Sequence, residues 1–345
     1  ISVVWIAGWA LLFVVGKGLS RATLRSIEGP DGGSAETPRR LRSQYRGLIA
    51  VAAAYYYLSL PVVALLVVAL SASIVYAFLL VGRIPVKLVL FLVVGALVTL
   101  YAILRSLFVR IRDEDPGHAL PEEKAPQLWG LVREVAQRVG TPPVDEVWLT
   151  PGTEVAVFER SPSRGRVAGR PRRALILGLA VLDRFPRSAF RAVLAHEYGH
   201  LSNRDTAGGE VALRVQARML RFAAALHAAG EAVWWNLGFQ FLRLYHTFFR
   251  RITFGATRLQ EVLADRVAVS AYGAPAFREG LTHVIRRDVE FTFLATGAIE
   301  RAVQMGSPLA NLYELPGPSV AEERVVEAKV KEALDRPTSD DDTHP

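Results

Sequence analysis

From Leu48 to Val81 the chain carries no charged side chain. A run of that length exceeds the roughly 20 apolar residues that one bilayer crossing needs. It is too short for two crossings joined by a turn, so one long or tilted helix is expected, with Pro61 as a point where it can kink. Arg83, Pro85 and Lys87 form a short polar turn, and Leu88 to Leu104 reads as the next crossing, extending toward Val109. Arg105, Arg110 and Arg112 close it. Ile1 to Val15 is also apolar and ends at Lys17. It is short for a crossing by itself, and residues upstream of Ile1 would complete it. No basic stretch precedes it and no small-x-small cleavage site follows it, so an uncleaved span is expected rather than a signal peptide.

These observations give a membrane region over residues 1–112 with about three transmembrane helices. Its polar loop at 17–46 contains the breaker cluster Gly29-Pro30-Asp31-Gly32-Gly33 and is rich in arginine, from Arg21 to Arg46. Loops rich in Lys and Arg stay on the cytoplasmic side. The 17–46 loop and everything after about residue 110 are therefore expected in the cytoplasm, as part of a multi-pass protein of the cell membrane, with the N-terminus outside. The net charge of +8 belongs to these flanks and to a solvated surface. A nucleic-acid partner would need a basic stripe with interleaved aromatics or a known module, and neither is present.

From Asp113 the composition becomes that of a globular domain, expected over residues 113–336, before a polar, acidic tail at 337–345 expected to be disordered. Leu128, Leu131, Val132, Val135, Ala136 and Val139 fall at helical spacing, and Gly140-Thr141-Pro142-Pro143 ends that helix. Val144–Leu149, Glu154–Phe158 and Ala174–Leu179 read as short strands, with Glu159 to Arg173 as a basic loop. Arg187–Leu201 and Thr257–Tyr272 read as helices. Residues 212–254 are rich in aromatics but also hold Arg214, Arg218, Arg221 and Arg243. A charge at the bilayer centre costs at least about 2.5 kcal/mol on insertion scales. An amphipathic helical hairpin is expected there, lying on the soluble domain or dipping into the bilayer interface.

The 187–201 helix contains His196-Glu197-Tyr198-Gly199-His200, the pattern H-E-x-x-H. Positions i and i+4 share a helix face, so both imidazoles can reach one ion, and Glu197 sits where it can take a proton from a metal-bound water. The chain has no cysteine, so any metal must be held by His, Asp or Glu. A catalytic Zn2+ needs a third protein ligand, and Glu261 on the 257–272 helix fits best. Asp265, one turn further on the same face, can accept the other ring N–H of a ligating histidine.

His196-Glu197-x-x-His200 followed by Glu261-x-x-x-Asp265 resembles the M48 family of metallopeptidases, which includes HtpX-like membrane proteases. The resemblance also takes in Pro126-Gln127-Leu128-Trp129, Val155-Ala156-Val157-Phe158, Leu175 to Leu179 and Ala192 to Ala195. It implies an α+β, mainly helical fold: N-terminal transmembrane helices followed by a zincin-type (gluzincin) metallopeptidase domain with a small sheet. It also implies one Zn2+ per chain on His196, His200 and Glu261, with Glu197 as the catalytic base. Asp265 and Asp205 would lie behind the ligands. Val155, Ala156, Val157 and Phe158 would form an edge strand that pairs with an extended substrate peptide. The chain departs from the family pattern near its C-terminal end. Where members often carry His-Pro followed by an Arg, this chain has Leu315-Pro316-Gly317-Pro318-Ser319 and then Arg324. Arg324, His283 and Tyr313 are the candidates for oxyanion support.

The function expected from these features is zinc-dependent endopeptidase activity on peptides or proteins associated with the bilayer, in the manner of membrane-protein quality control. The alternative, motivated by Gly317, is a catalytically weak or silent zinc-binding scaffold.

Overall fold

The computed structural model describes residues 2–28, 36–82, 85–108, 115–160, 172–203, 209–309, 311–313 and 319–335. In chain order the helices α1 to α4 are Ser2–Glu28, Glu36–Leu80, Val86–Phe108 and Pro126–Val139. The strands β1 to β4 are His118–Ala119, Glu146–Thr150, Val155–Arg160 and Arg172–Gly178. Helices α5 to α9 are Arg187–Asn203, Gly209–Ala228, Leu237–Tyr272, Ala274–Met305 and Val320–Asp335. The fold is mainly helical with a small mixed sheet, as the sequence predicts. Two compact units result: Ile1–Arg112 with Arg204–Leu259, and Asp113–Asn203 with Gln260–Pro345. The chain between the H-E-x-x-H helix and Gln260 thus groups with the N-terminal helices.

In the first unit α2 runs without a break through Pro61. Much of the expected 17–46 loop is helical, because α1 continues to Glu28 and α2 starts at Glu36. Arg, Leu, Gln and Glu are good helix formers, so helices begun in apolar sequence extend into the polar flanks. The breaker cluster at 29–33 lies outside the described residues. The aromatics of α7 pack against α1 and α2. Trp9 stacks on Phe248 at 5.3 Å, Tyr56 stacks on Phe241 at 6.1 Å, and the Tyr245 hydroxyl donates to the Ala52 carbonyl at 2.5 Å. Ser43–Leu80 and Val86–Arg105 are each long and apolar enough to cross a membrane, and only 11% and 17% of their most apolar windows are buried in the fold. Leu58, Leu65, Leu90 and Leu97 are all more than 59% exposed. Apolar surface this continuous is not stable in water.

The second unit is built on the sheet, in the order β1-β2-β4-β3. β2 and β4 are parallel, with Val147 opposite Leu175, while β3 runs antiparallel to β4, with Val157 opposite Leu175. The alternating apolar positions Val147, Val157, Leu175 and Leu177 face α4 and α5, where they meet Trp129, Val132, Val135, Phe190, Leu194 and Tyr198. Each fully buried Val or Leu here contributes about 1.5–3 kcal/mol. The predicted helix at 128–139 is α4, and Gly140 ends it in the left-handed conformation at φ 74°. The three predicted strands are present with bounds shifted by one or two residues. The expected 159–173 loop loses its ends to β3 and β4, and residues 161–171 lie outside the described residues, as does the 337–345 tail.

Tyr198, one of the two unassigned positions of the motif, joins three elements. Its hydroxyl accepts from the Val144 amide at 3.3 Å, just ahead of β2, and reaches the Val132 carbonyl of α4 at 3.4 Å. Burial pushes this phenol up to about 12, so it stays neutral and can donate. Removing the hydroxyl leaves the buried Val144 amide without its partner, while the Val132 carbonyl keeps its bond within α4. Tyr198→Phe is therefore expected to lower stability by about 1–3 kcal/mol, measured by urea denaturation of the detergent-solubilised chain. No shift in the transition would show that Tyr198 acts only as an apolar filler.

Candidate metal centre

Helix α5 starts directly after Pro186, whose carbonyl accepts from the Phe190 amide at 2.9 Å. Proline suits the first turn because its missing N–H has no partner there. Residues 192–199 are all buried. The helix thus threads the unit's interior and carries His196 and His200 at i and i+4. On α7, Glu261 and Asp265 are one turn apart and come to the same place.

The His196 Nε2 and His200 Nε2 atoms are 3.0 Å apart, and each is 3.5 Å from Glu261 Oε2. Two imidazole nitrogens and a carboxylate oxygen converging this closely offer three lone pairs to one point. A tetrahedral ion with ligand bonds of about 2.0–2.1 Å would set its ligand atoms roughly 3.3–3.4 Å apart. The triangle matches that span, so the residues fit a metal ion. His196, His200 and Glu261 are also the group of His, Cys, Asp or Glu residues whose ligand atoms lie within 4.8 Å of one another among the described residues.

Behind the triangle, His196 Nδ1 lies 2.9 Å from Asp265 Oδ1, an ion-pair contact on the other ring nitrogen from the Nε2 that faces Glu261. The His196 ring lies on Phe277 of α8, with centroids 5.4 Å apart. Burial disfavours a charged His196, but the hydrogen-bonded carboxylates of Asp265 and Glu261 outweigh it, and the pKa is pushed up to about 9. His196 is 4% exposed, whereas Glu261 and Asp265 are 25% and 45% exposed at their side chains. The centre is therefore open on the carboxylate side.

The approach of α5 to α7 depends on Gly199. A Cβ placed there would lie 2.9 Å from Ala264 Cα and 3.3 Å from its carbonyl oxygen. Ala264 sits between Glu261 and Asp265, so any side chain at 199 pushes both carboxylates away from the histidines. Gly280 serves in the same way on α8, where a Cβ would come 2.8 Å from the Ala189 carbonyl oxygen. Gly199, Tyr198 and Phe277 escape the sequence reading. The first two occupy the free positions of H-E-x-x-H, and Phe277 lies on a helix with no motif of its own.

Glu197 is 8% exposed and its Oε2 accepts from the Val157 amide of β3 at 3.4 Å. Among the described residues β3 pairs only with β4. The Gly178 amide bonds to the Glu154 carbonyl at 2.7 Å, so Glu154, Ala156 and Phe158 turn their backbone toward β4. Val155, Val157 and Glu159 turn theirs to the open edge beside Glu197.

The remaining candidates are placed differently. His283 Nε2 bonds to the Val181 carbonyl at 3.0 Å and its ring stacks on Phe185 at 4.2 Å. The Tyr313 hydroxyl donates to the Pro151 carbonyl at 2.8 Å. These two groups fasten the turns after β4 and β2. Arg324 is exposed on α9. Asp205 and the stretch 315–318, including Gly317, lie outside the described residues.

A helix bearing H-E-x-x-H, met by a glutamate from a second helix and backed by a small sheet, defines a protein of the zincin type. The chain belongs to peptidase family M48, whose model matches residues 152–327, just over half of the chain. Among similar proteins, a "Protease HtpX homolog" of Ligilactobacillus salivarius is 27% identical over 174 residues, 49% of this chain and 53% of that one. A namesake of Pelotomaculum thermopropionicum is 30% identical over 120 residues, 34% of this chain and 37% of that one. A third, of Nostoc sp., is 32% identical over 101 residues, 29% of this chain and 32% of that one. The match thus spans about half the length of these relatives or less. No solved structure matches the chain with significance.

Two outcomes follow from the geometry. Because the His196 proton must leave before Nε2 can take a metal, Zn2+ affinity is expected to rise about tenfold per pH unit up to roughly pH 9. Chelator competition between pH 6.5 and 8.5 measures this, and a flat profile would contradict the protonated ring. Gly199→Ala is expected to weaken Zn2+ binding at least tenfold at fixed pH, since overpacking of about 1–3 kcal/mol falls on the helix contact that sets the triangle. Unchanged affinity would show that α7 can yield without moving Glu261.

Proposed function

We propose that this chain is a membrane-anchored, zinc-dependent endopeptidase that cleaves membrane or membrane-proximal proteins, with its catalytic part on the cytoplasmic side. The observation that carries the reading is the triangle of His196, His200 and Glu261 with the buried Glu197 carboxylate next to it in sequence. When bound there, zinc would act as a Lewis acid that polarises the scissile carbonyl and makes a water acidic near neutral pH.

The protein's own residues do the rest. Asp265 pairs with His196 at Nδ1. The Val157 amide holds Glu197, which takes the proton from the attacking water and returns it to the leaving amine. The outward backbone groups of Val155 and Glu159 can pair with an extended peptide, adding a strand to the sheet and drawing the scissile bond past Glu197. Membrane anchoring is supported by the exposed apolar faces of α2 and α3, and the cytoplasmic orientation by the arginine-rich flank from Arg21 to Arg46. The relatives' name, protease HtpX homolog, accords with a peptidase activity, and a part in membrane-protein quality control belongs to the same proposal.

Glu197→Gln separates metal binding from chemistry. The variant is expected to bind one Zn2+ per chain while casein cleavage falls at least about 100-fold. Equal cleavage would remove Glu197 from the role of base. Purified protein without stoichiometric zinc would sink the peptidase reading. Full zinc occupancy with no cleavage in the wild type would favour the silent scaffold.

A further inference from the structure

Between Arg221 on α6 and Arg243 on α7, the chain carries only two titratable side chains, His227 and Glu231. Helix α6 ends at Ala228, seven residues and about 10 Å along the axis from Arg221, and a turn through Gly230 carries the chain on to Glu231. That is about a third of the roughly 30 Å hydrocarbon layer of a bilayer. A second, independent observation sets the depth of the turn. The Asn236 amide group donates to Thr99 Oγ1 at 2.9 Å and to Glu231 Oε2 at 3.1 Å. A Cβ on Gly95 would lie 3.5 Å from the Glu231 carboxylate. Gly95 and Thr99 fall in the middle of the apolar helix Val86–Arg105.

The contacts with Gly95 and Thr99 place the turn between α6 and α7 near the bilayer midplane if α3 crosses the membrane. The arginines then stay near the interface. Arg218 lies over the Tyr57 ring at 5.0 Å, well back along α2 from the residues that meet the turn. This resolves the conflict between the aromatic content of residues 212–254 and their charges: the hairpin goes in partway and turns back.

An ionisable residue at that depth is costly and marks a site in its own right. A cavity of about 80 Å³ lies beside it, lined by Ser71, Thr99, Glu231 and Asn236 among apolar neighbours. Its rim includes Leu70, Phe91 and Trp235, which are 49%, 48% and 51% exposed, so a segment moving in lipid can reach it. Within the described residues the Glu231 carboxylate accepts from the neutral Asn236 amide and meets no cation. His227, the nearest other titratable side chain on α6, packs its ring against Phe239 at 5.9 Å.

We propose that the turn between α6 and α7 is a re-entrant hairpin that holds Glu231 at the bilayer midplane as a docking site for a lysine or arginine in a transmembrane segment of the substrate. This rests on the membrane-anchored peptidase reading and specifies its substrate class. The cationic side chain would enter the cavity and pair with Glu231, while the flanking apolar residues of the segment pack on Leu70, Phe91 and Trp235. A segment without a buried cation gains only the apolar contact, which lipid offers equally well.

The test uses the full chain in phosphatidylcholine nanodiscs and two labelled single-span peptides, identical except for one central Lys or Leu. The Lys peptide is expected to bind roughly 3- to 30-fold tighter by energy transfer. Glu231→Gln should abolish the difference. So should Ser71→Leu, which fills the cavity from α2 and leaves the carboxylate in place. Equal binding of the two peptides to the wild type, or discrimination that survives in both variants, would overturn the proposal. The chain has no cysteine, so Ala232→Cys accepts a single spin label. A label more accessible to oxygen than to an aqueous nickel complex is expected, and the reverse would overturn the midplane placement. Casein cleavage by the wild type in the same discs reads the peptidase proposal separately. Its absence alongside retained Lys discrimination would sink that reading and leave the docking site standing.

Discussion

Between Gly199 and Ala264 there is no room for a methyl group, and the candidate metal centre depends on that contact. The histidines come from one helix and the carboxylates from another. A metal triangle with edges of 3.0–3.5 Å demands that the two helices touch at their backbones between those residues. Any side chain at 199 would separate the helices by more than ligand geometry tolerates. The rest of the second unit keeps α5 in place for this contact. Tyr198 ties it to α4 and the approach to β2, Gly280 lets α8 close on its other side, and Phe277 braces the His196 ring. The polar residues expected to support an oxyanion, His283 and Tyr313, instead hold the turns after β4 and β2.

A different constraint governs the first unit. Its outer helices present apolar faces that water would not tolerate, and its inner contacts are aromatic: Trp5, Trp9, Tyr56, Phe241, Tyr245 and Phe248 pack on one another. Several polar atoms within it are satisfied locally, although the Trp9 indole N–H and the Tyr56 hydroxyl are buried without a hydrogen-bond partner among the described residues. Ser59 receives the Trp5 indole N–H and donates to the Tyr55 carbonyl, and Thr99 donates to the Gly95 carbonyl. Such local bonds suit a layer without water, where a polar group has no solvent to turn to. The Glu231 carboxylate accepts from the neutral Asn236 amide among the described residues.

Several features were legible in the sequence because they are local. The uncharged run at 48–81, the amphipathic periodicity of 128–139 and the i, i+4 spacing of His196 and His200 each follow from the pitch of a helix. Glu261 was legible because one ligand was missing and few downstream helical carboxylates could supply it. Helix ends were read less well: α1 and α2 extend into the arginine-rich flanks, since breakers stop a helix while charge does not. Helices α8 and α9 went unread, having no motif and only a diffuse apolar pattern.

The sequence by itself determined that this chain has apolar helices fit for a bilayer and an H-E-x-x-H helix in need of a third ligand, because helical pitch and side-chain charge are properties of neighbouring residues. Only the tertiary structure decided that Gly199 admits Ala264, that Val157 holds Glu197, and that the 212–254 hairpin packs on α1 to α3 with Glu231 level with the middle of α3. These are contacts between residues 40 to 193 positions apart, and no local pattern encodes which of two possible surfaces a helix will meet.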